Sequence, residues 1–197
     1  MPPSLLTERL LKVMEEDILP LTQVGTAAGN KVFGAAILRK EDLSLVLAAT
    51  NQETQNPLFH GEISCLNQFW ALPADTRPEP KDCYFLSTHE PCSLCLSAIT
   101  WSGFDNFYYV FSYEDSRDSF NIPHDLKILD EVFACKDGQY CKSNYYWSSY
   151  YLLDLINAGT DAEKTDWNNR LETLKAHYGV MSADYQRQKE QQDIPLN

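Results

Sequence analysis

The chain has 197 residues, of which 28 are Asp or Glu and 16 are Lys or Arg, for a formal net charge of -12. Proteins that grip nucleic acid concentrate cations to displace counterions from phosphates, so this balance speaks against a nucleic-acid partner and for a small neutral substrate. No apolar run approaches membrane-spanning length, and residues 1 to 20 mix Leu5, Leu6, Leu10 and Leu11 with Glu8, Glu15, Glu16 and Asp17, which is an amphipathic helix and not a signal peptide; a cytoplasmic protein is expected.

Residues 4 to 19 predict a helix, with Leu6, Leu10, Val13, Met14 and Ile18 at helical spacing and Pro20 as its stop. Lys31 to Leu38 and Leu43 to Thr50, rich in Val, Ile, Leu and Ala, read as an antiparallel hairpin across the polar run 39–42. After the loop Gln52 to Phe59, His60 opens a second helix in which Ile63, Leu66 and Trp70 recur at three and four residues before Pro73. Cys83 to Ser87 is a short apolar strand, Cys92 to Trp101 a third helix with Pro91 before it and Gly103 after it, and Asn106 to Tyr113 a further strand.

The remainder, from about residue 122, reads as helical, with Leu126, Leu129 and Phe133 in one segment, Trp147 to Ile156 in a second and Ala162 to Tyr178 in a third. Residues 184–197, with four glutamines among charges, read as a polar tail, either flexible or the solvated end of a helix. The alternation of strands and helices predicts an α/β layered domain over residues 1–183, with its last strands parallel and a helical C-terminal extension.

The chemistry is concentrated in His60-Gly61-Glu62 and Pro91-Cys92-Ser93-Leu94-Cys95. One imidazole and two thiolates give three good zinc ligands, and a zinc with three protein ligands keeps an open, catalytic position. Cys92 and Cys95, three apart on a helix, share one face. Glu62 is left to move protons. Either motif alone says little: a histidine on a helix is usually structural, and C-x-x-C also serves redox pairs. Together and in this order they match the signature of the zinc deaminases. Cys65, Cys83, Cys135 and Cys141 read most simply as buried thiols in a reducing compartment, with a structural zinc on Cys135 and Cys141 as the lesser alternative.

Over about residues 30 to 115 the chain resembles the cytidine deaminase superfamily, in the branch that holds fungal cytosine deaminase, guanine deaminase and the tRNA adenosine deaminases. His60-Gly61-Glu62-Ile63-Ser64 is similar to the cytosine deaminase form of the first motif, whereas Glu90-Pro91-Cys92 and Trp101-Ser102-Gly103 are similar to the guanine deaminases. The resemblance implies a three-layer fold with helices on both faces of the sheet, one catalytic zinc per chain on His60, Cys92 and Cys95, and Glu62 as the proton shuttle. It also implies a homodimer, a substrate lying near the backbone of Gly61, and Asn51 as a hydrogen-bond partner of the substrate ring. Asn51 reads equally well as a turn residue.

Outside the motifs, Phe33, Phe111, Phe120, Tyr145, Tyr146 and Trp147 are candidates to stack on a flat ring, although aromatic clusters more often build cores. His89 and Asp115 are candidates to bind polar groups of the substrate, against the plainer readings of a structural histidine and a solvated acidic loop. The expected function is hydrolytic deamination of a small aminated heterocycle, a free nucleobase or nucleoside of cytosine or guanine type, with release of ammonia. The alternatives are an enzyme like the tRNA adenosine deaminases and a catalytically silent zinc-binding domain. The second has no use for Glu62, since a purely structural site fills its fourth position with a side chain.

Overall fold

The structure is a computed structural model and describes residues 2–196. Helix α1 (Pro3–Val13) starts with proline where no N–H is needed and buries Leu6, Leu10, Leu11 and Val13. Pro20 does not stop it. The chain widens into a single π-helical turn over Met14–Ile18, in which the Leu19 N–H reaches the Met14 carbonyl, and then resumes as α2 (Leu19–Ala27) with Pro20 in its first turn. The wide turn absorbs the hydrogen bond that a proline inside a regular helix would break.

Strands β1 (Gly34–Arg39) and β2 (Leu45–Thr50) form the expected antiparallel hairpin, with Gly34 opposite Thr50. Helix α3 (Gly61–Ala71) leads to β3 (Cys83–His89), which pairs with the other edge of β1 antiparallel, Ala35 opposite Ser87. Helix α4 (Ser93–Trp101) then crosses to β4 (Asn106–Phe111), parallel to β3. After α5 (His124–Phe133) comes a short strand, β5 (Ser148–Tyr151), parallel to β4, and then α6 (Leu152–Asn157) and α7 (Asp161–Gln188). The sheet order is β2-β1-β3-β4-β5.

The alternation of side chains along the strands divides the interior in two. Ala35, Ile37, Phe85, Phe107 and Tyr109 meet Cys65, Leu66, Phe69, Leu96 and Ile99 of α3 and α4 on one face. Ala36, Leu38, Leu86, Tyr108 and Val110 meet α1, α6 and α7 on the other. The sheet therefore carries helices on both faces, as expected.

Three further expectations are corrected. Residues 147 to 156 are not one helix, because Ser148 to Tyr151 pair with Asn106 to Tyr109 as β5 and stack Tyr150 on Tyr108 and Tyr151 on Tyr109. On α3 the buried ring is Phe69, while Trp70 is 46% exposed beneath the Arg77 guanidinium. Beyond residue 184, α7 continues as a helix end to Gln188, with Tyr185 buried and Gln188 Nε2 donating to the Thr26 carbonyl, and Ile194 is buried. Of the four remaining cysteines only Cys65 and Cys83 are buried, Cys135 is partly exposed, and exposed Cys141 donates to the Ser143 carbonyl. No described helix is long and apolar enough to cross a membrane.

Candidate active site

His60 is the N-cap residue of α3 and Cys92 the N-cap residue of α4, both with extended backbone and neither capping its own helix. Their side chains turn toward each other instead. His60 Nδ1 lies 3.5 Å from Cys92 Sγ and 3.7 Å from Cys95 Sγ, and the two sulfurs are 3.6 Å apart. A tetrahedral ion bound at about 2.3 Å to sulfur and about 2.0 Å to nitrogen sets its ligands roughly 3.5 to 3.8 Å apart, so the three donors fit zinc without rearrangement. Among the described residues this is the one group of three such side chains near enough to share an ion.

Behind the triad, His60 Nε2 lies 3.8 Å from Glu53 Oε1, and that carboxylate also takes Lys31 Nζ at 3.0 Å and Asn51 Nδ2 at 2.7 Å. A carboxylate behind a metal-facing imidazole fixes the ring's orientation and keeps Nδ1 turned to the metal. Two helix N-termini also meet here, and their partial positive charge favours thiolates. The hydrogen bond between Cys92 and Cys95 holds the Cys92 thiol well below its ordinary pKa.

Glu62 sits in the first turn of α3 with its carboxylate buried. Ser87 Oγ on β3 donates to Oε1 at 2.7 Å, and Oε2 lies 3.3 Å from Cys95 Sγ. Burial, with the nearby Cys92 thiolate second, raises its pKa above the usual carboxylate value. Gly61 lets α3 begin this close to the sheet, because a Cβ there would stand 2.6 Å from Gly34 Cα.

A recess of about 10 Å³, lined by His60, Glu62, Glu90, Cys92, Cys95 and Asp125, has room for about one water-sized atom. It adjoins a cavity of about 290 Å³ walled by Phe33, Leu58, Leu94 and Ile128, with His60, Cys92 and Asp125 lining both. Of the residues singled out in the sequence, the structure brings His60, Glu62, Cys92, Cys95 and Phe33 to these two spaces.

The others lie elsewhere. Asn51 is wholly buried, with Oδ1 accepting the Gly61 N–H and Nδ2 donating to Glu53, so its amide is committed to the protein. His89 and Phe111 pack with Phe120 and Tyr178 in the core, and burial lowers the His89 pKa to about 3, so that its ring is neutral. Asp115 pairs with Lys175 of α7 at 2.6 Å and accepts from the Ser112 N–H. Trp147 packs on Phe107 and donates to Thr100 Oγ1, while Tyr145 and Tyr146 are exposed. Asp125 was not anticipated: an acidic residue in the first turn of a helix is ordinary, and only the return of α5 over Cys92 places it in the cavity, where burial raises its pKa well above the usual range.

A family model described as the cytidine and deoxycytidylate deaminase zinc-binding region matches residues 8–111. No curated protein sequence matches the chain significantly. Among solved structures, a mutant of NE0047 in complex with 8-azaguanine has 19% identity and a TM-score of 0.51, over 83% of this chain and 80% of that one. Guanine deaminase from Nitrosomonas europaea has 20% identity and a TM-score of 0.48, over 81% of each chain. Guanine deaminase from Bacillus subtilis has 21% identity and a TM-score of 0.44, over 68% of this chain and 97% of that one. At 19% identity the likeness to NE0047 is one of fold.

Proposed function

Because the chain belongs to the cytidine and deoxycytidylate deaminase zinc-binding family, we propose that it hydrolyses the exocyclic amine of a small heterocycle of nucleobase type, free or sugar-linked, to a carbonyl and ammonia. The observation that carries this reading is the pairing of a zinc-compatible His60, Cys92 and Cys95 triad with a buried carboxylate, Glu62, that lines the same recess. His60 Nδ1, Cys92 Sγ and Cys95 Sγ would hold the ion, which when bound supplies the Lewis acidity that makes water a nucleophile at neutral pH.

Glu62 does the proton work. Its carboxylate takes a proton from the attacking water and delivers it to the ring nitrogen beside the reacting carbon, then takes the remaining hydroxyl proton of the tetrahedral intermediate and passes it to the amine, so that the carbonyl forms as ammonia leaves. A carboxyl that is to accept and then donate near neutrality works best with a raised pKa, which burial provides here. Ser87 anchors Oε1, and Oε2 lies on the side of Cys95, 3.3 Å from its Sγ. The 290 Å³ cavity lies at the small end of ligand sites and suits one heterocycle, which Phe33 can face with its ring.

The test is ammonia release by zinc-loaded protein from cytosine, guanine, adenine, their nucleosides, and aminated pteridines and triazines, with Glu62→Ala as the blank. Release that depends on Glu62 supports the reading. Release at the parental rate by Glu62→Ala would show the assigned chemistry to be wrong.

A further inference from the structure

Resting on the zinc reading above, we propose that Tyr140 and Lys142, from the connection between α5 and β5, are positioning residues for the proposed metal ligand Cys92 and act on it through Glu90. Glu90 lies between the end of β3 and Cys92, and only 3% of its side chain is exposed. Tyr140 Oη donates to Glu90 Oε1 at 2.8 Å, Lys142 Nζ stands 3.1 Å from the same oxygen, and the Tyr113 N–H donates to Oε2 at 3.3 Å. Lys142 Nζ also donates to Tyr109 Oη on β4 at 2.8 Å. The match to the family model ends at residue 111, so Tyr113, Tyr140 and Lys142 all lie outside the matched segment.

A buried carboxylate is tolerated where it is hydrogen-bonded and charge-paired, so the groups that satisfy it also decide where it sits. Between Glu90 and Cys92 there is only Pro91, whose ring fixes its own φ and disfavours the helical region for Glu90. A shift of Glu90 is therefore passed along a stiff backbone to Cys92. The same stretch is gripped at two further points: Tyr113 Oη donates to the Pro91 carbonyl, and the Glu90 N–H donates to the Phe111 carbonyl at 2.8 Å. Tyr140 and Lys142 are anchored in their turn. The Ser149 N–H of β5 donates to the Lys142 carbonyl at 2.8 Å, and Tyr140 packs edge-on against Trp147, which donates to Thr100 of α4, the helix that Cys92 caps. Metal sites tolerate only about 0.2 Å of error in their ligand distances, so a small displacement of Cys92 is felt at the ion.

The experiment measures zinc affinity by competition against a chelator, and the absorption spectrum of the cobalt-substituted protein, which reports the geometry of the ligands. It compares the parent with Tyr140→Phe, Lys142→Met, Lys142→Arg, Glu90→Gln and the double variant Glu90→Gln/Lys142→Met. Half of the Lys142 side chain is exposed, so its replacement leaves the core intact. Tyr140→Phe and Lys142→Met should each weaken zinc binding by about tenfold, the low end for outer-shell partners, and alter the cobalt spectrum. Lys142→Arg, which keeps the charge and the donors, should bind zinc as the parent does. The losses of Glu90→Gln and Lys142→Met should not add in the double variant, because the lysine acts through the carboxylate.

A merely structural contact would lower unfolding stability and leave the folded protein's zinc affinity and cobalt spectrum as they were. That result in both Tyr140→Phe and Lys142→Met would overturn the proposal, reduce the cluster to a staple for β5, and leave the zinc and deaminase readings standing. Additive losses in the double variant would overturn the route through Glu90. A parent protein that binds no zinc would bring down the metal reading, and this proposal with it.

Discussion

Asn51 Oδ1 accepts the backbone N–H of Gly61 while its Nδ2 donates to Glu53, so one side chain just past β2 fixes both the first residue of α3 and the carboxylate behind His60. Asn51→Ala leaves a buried N–H without its acceptor and loosens Glu53. The expected cost is about 1 to 3 kcal/mol of stability together with weaker zinc retention. Thermal unfolding and competition against a chromogenic chelator measure both. An unchanged zinc affinity with only a raised KM would instead show the amide acting on substrate.

Ser87 Oγ donates to Oε1 of Glu62, the carboxylate proposed as the proton shuttle. Ser87→Ala therefore frees the carboxylate to turn, and kcat should drop about tenfold with little change in zinc content. Glu62→Gln, which keeps the shape and removes the base, should lower kcat by about 10²- to 10⁴-fold while still binding one zinc per chain. Metal analysis beside steady-state kinetics decides the matter: loss of zinc from Glu62→Gln would make Glu62 a ligand and not a shuttle.

The strands and helices from Lys31 to Phe111 were legible because each rests on local signals: apolar runs, helical spacing, Pro91 and Gly103 as punctuation. The convergence of His60, Cys92 and Cys95 was legible for the same reason, since each of two helix starts carries its share of the group within a few residues. Strand β5 was not, because Tyr150, Tyr151 and Leu152 make an apolar run with no period of its own, and only pairing with β4 declares it a strand. Asp125 escaped for a different reason. Its proximity to His60 is created by a chain return of more than sixty residues, about which spacing is silent. His89 misled because a polar residue beside a motif suggests chemistry, whereas its neighbours in space are aromatic.

The contact between Gly61 and Gly34 is tight enough to exclude any side chain. A Cβ on Gly61 would meet Gly34 Cα at 2.6 Å and Gly34 N at 2.7 Å, all backbone that cannot swing aside. Gly61→Ala should push the start of α3 away from β1, carrying His60 and Glu62 with it, and cost about 1 to 3 kcal/mol as overpacking does. Urea unfolding and zinc affinity should both fall. Retention of wild-type stability and zinc affinity would show that the two elements can separate without harm.

His89 gives the fold a dependence on pH that is separate from catalysis. Thr88 Oγ1 lies 2.8 Å from Nδ1, and the rest of the ring is enclosed by Phe33, Phe111, Phe120 and Tyr178. Burial lowers its pKa from 6.5 to about 3. Between those values the unfolded chain binds a proton that the folded chain refuses, so stability is complete above about pH 6.5 and is lost as pH falls toward 3. At pH 5 the loss from this one group is about 2 kcal/mol. His89→Phe removes the titration while keeping an aromatic ring in the cluster. Urea unfolding of both proteins at pH 7.5 and pH 5 should show the variant losing about 2 kcal/mol less on acidification, because the other groups that titrate in that range are common to the two. Equal losses in the two proteins would mean that the folded state accepts a charged His89 after all.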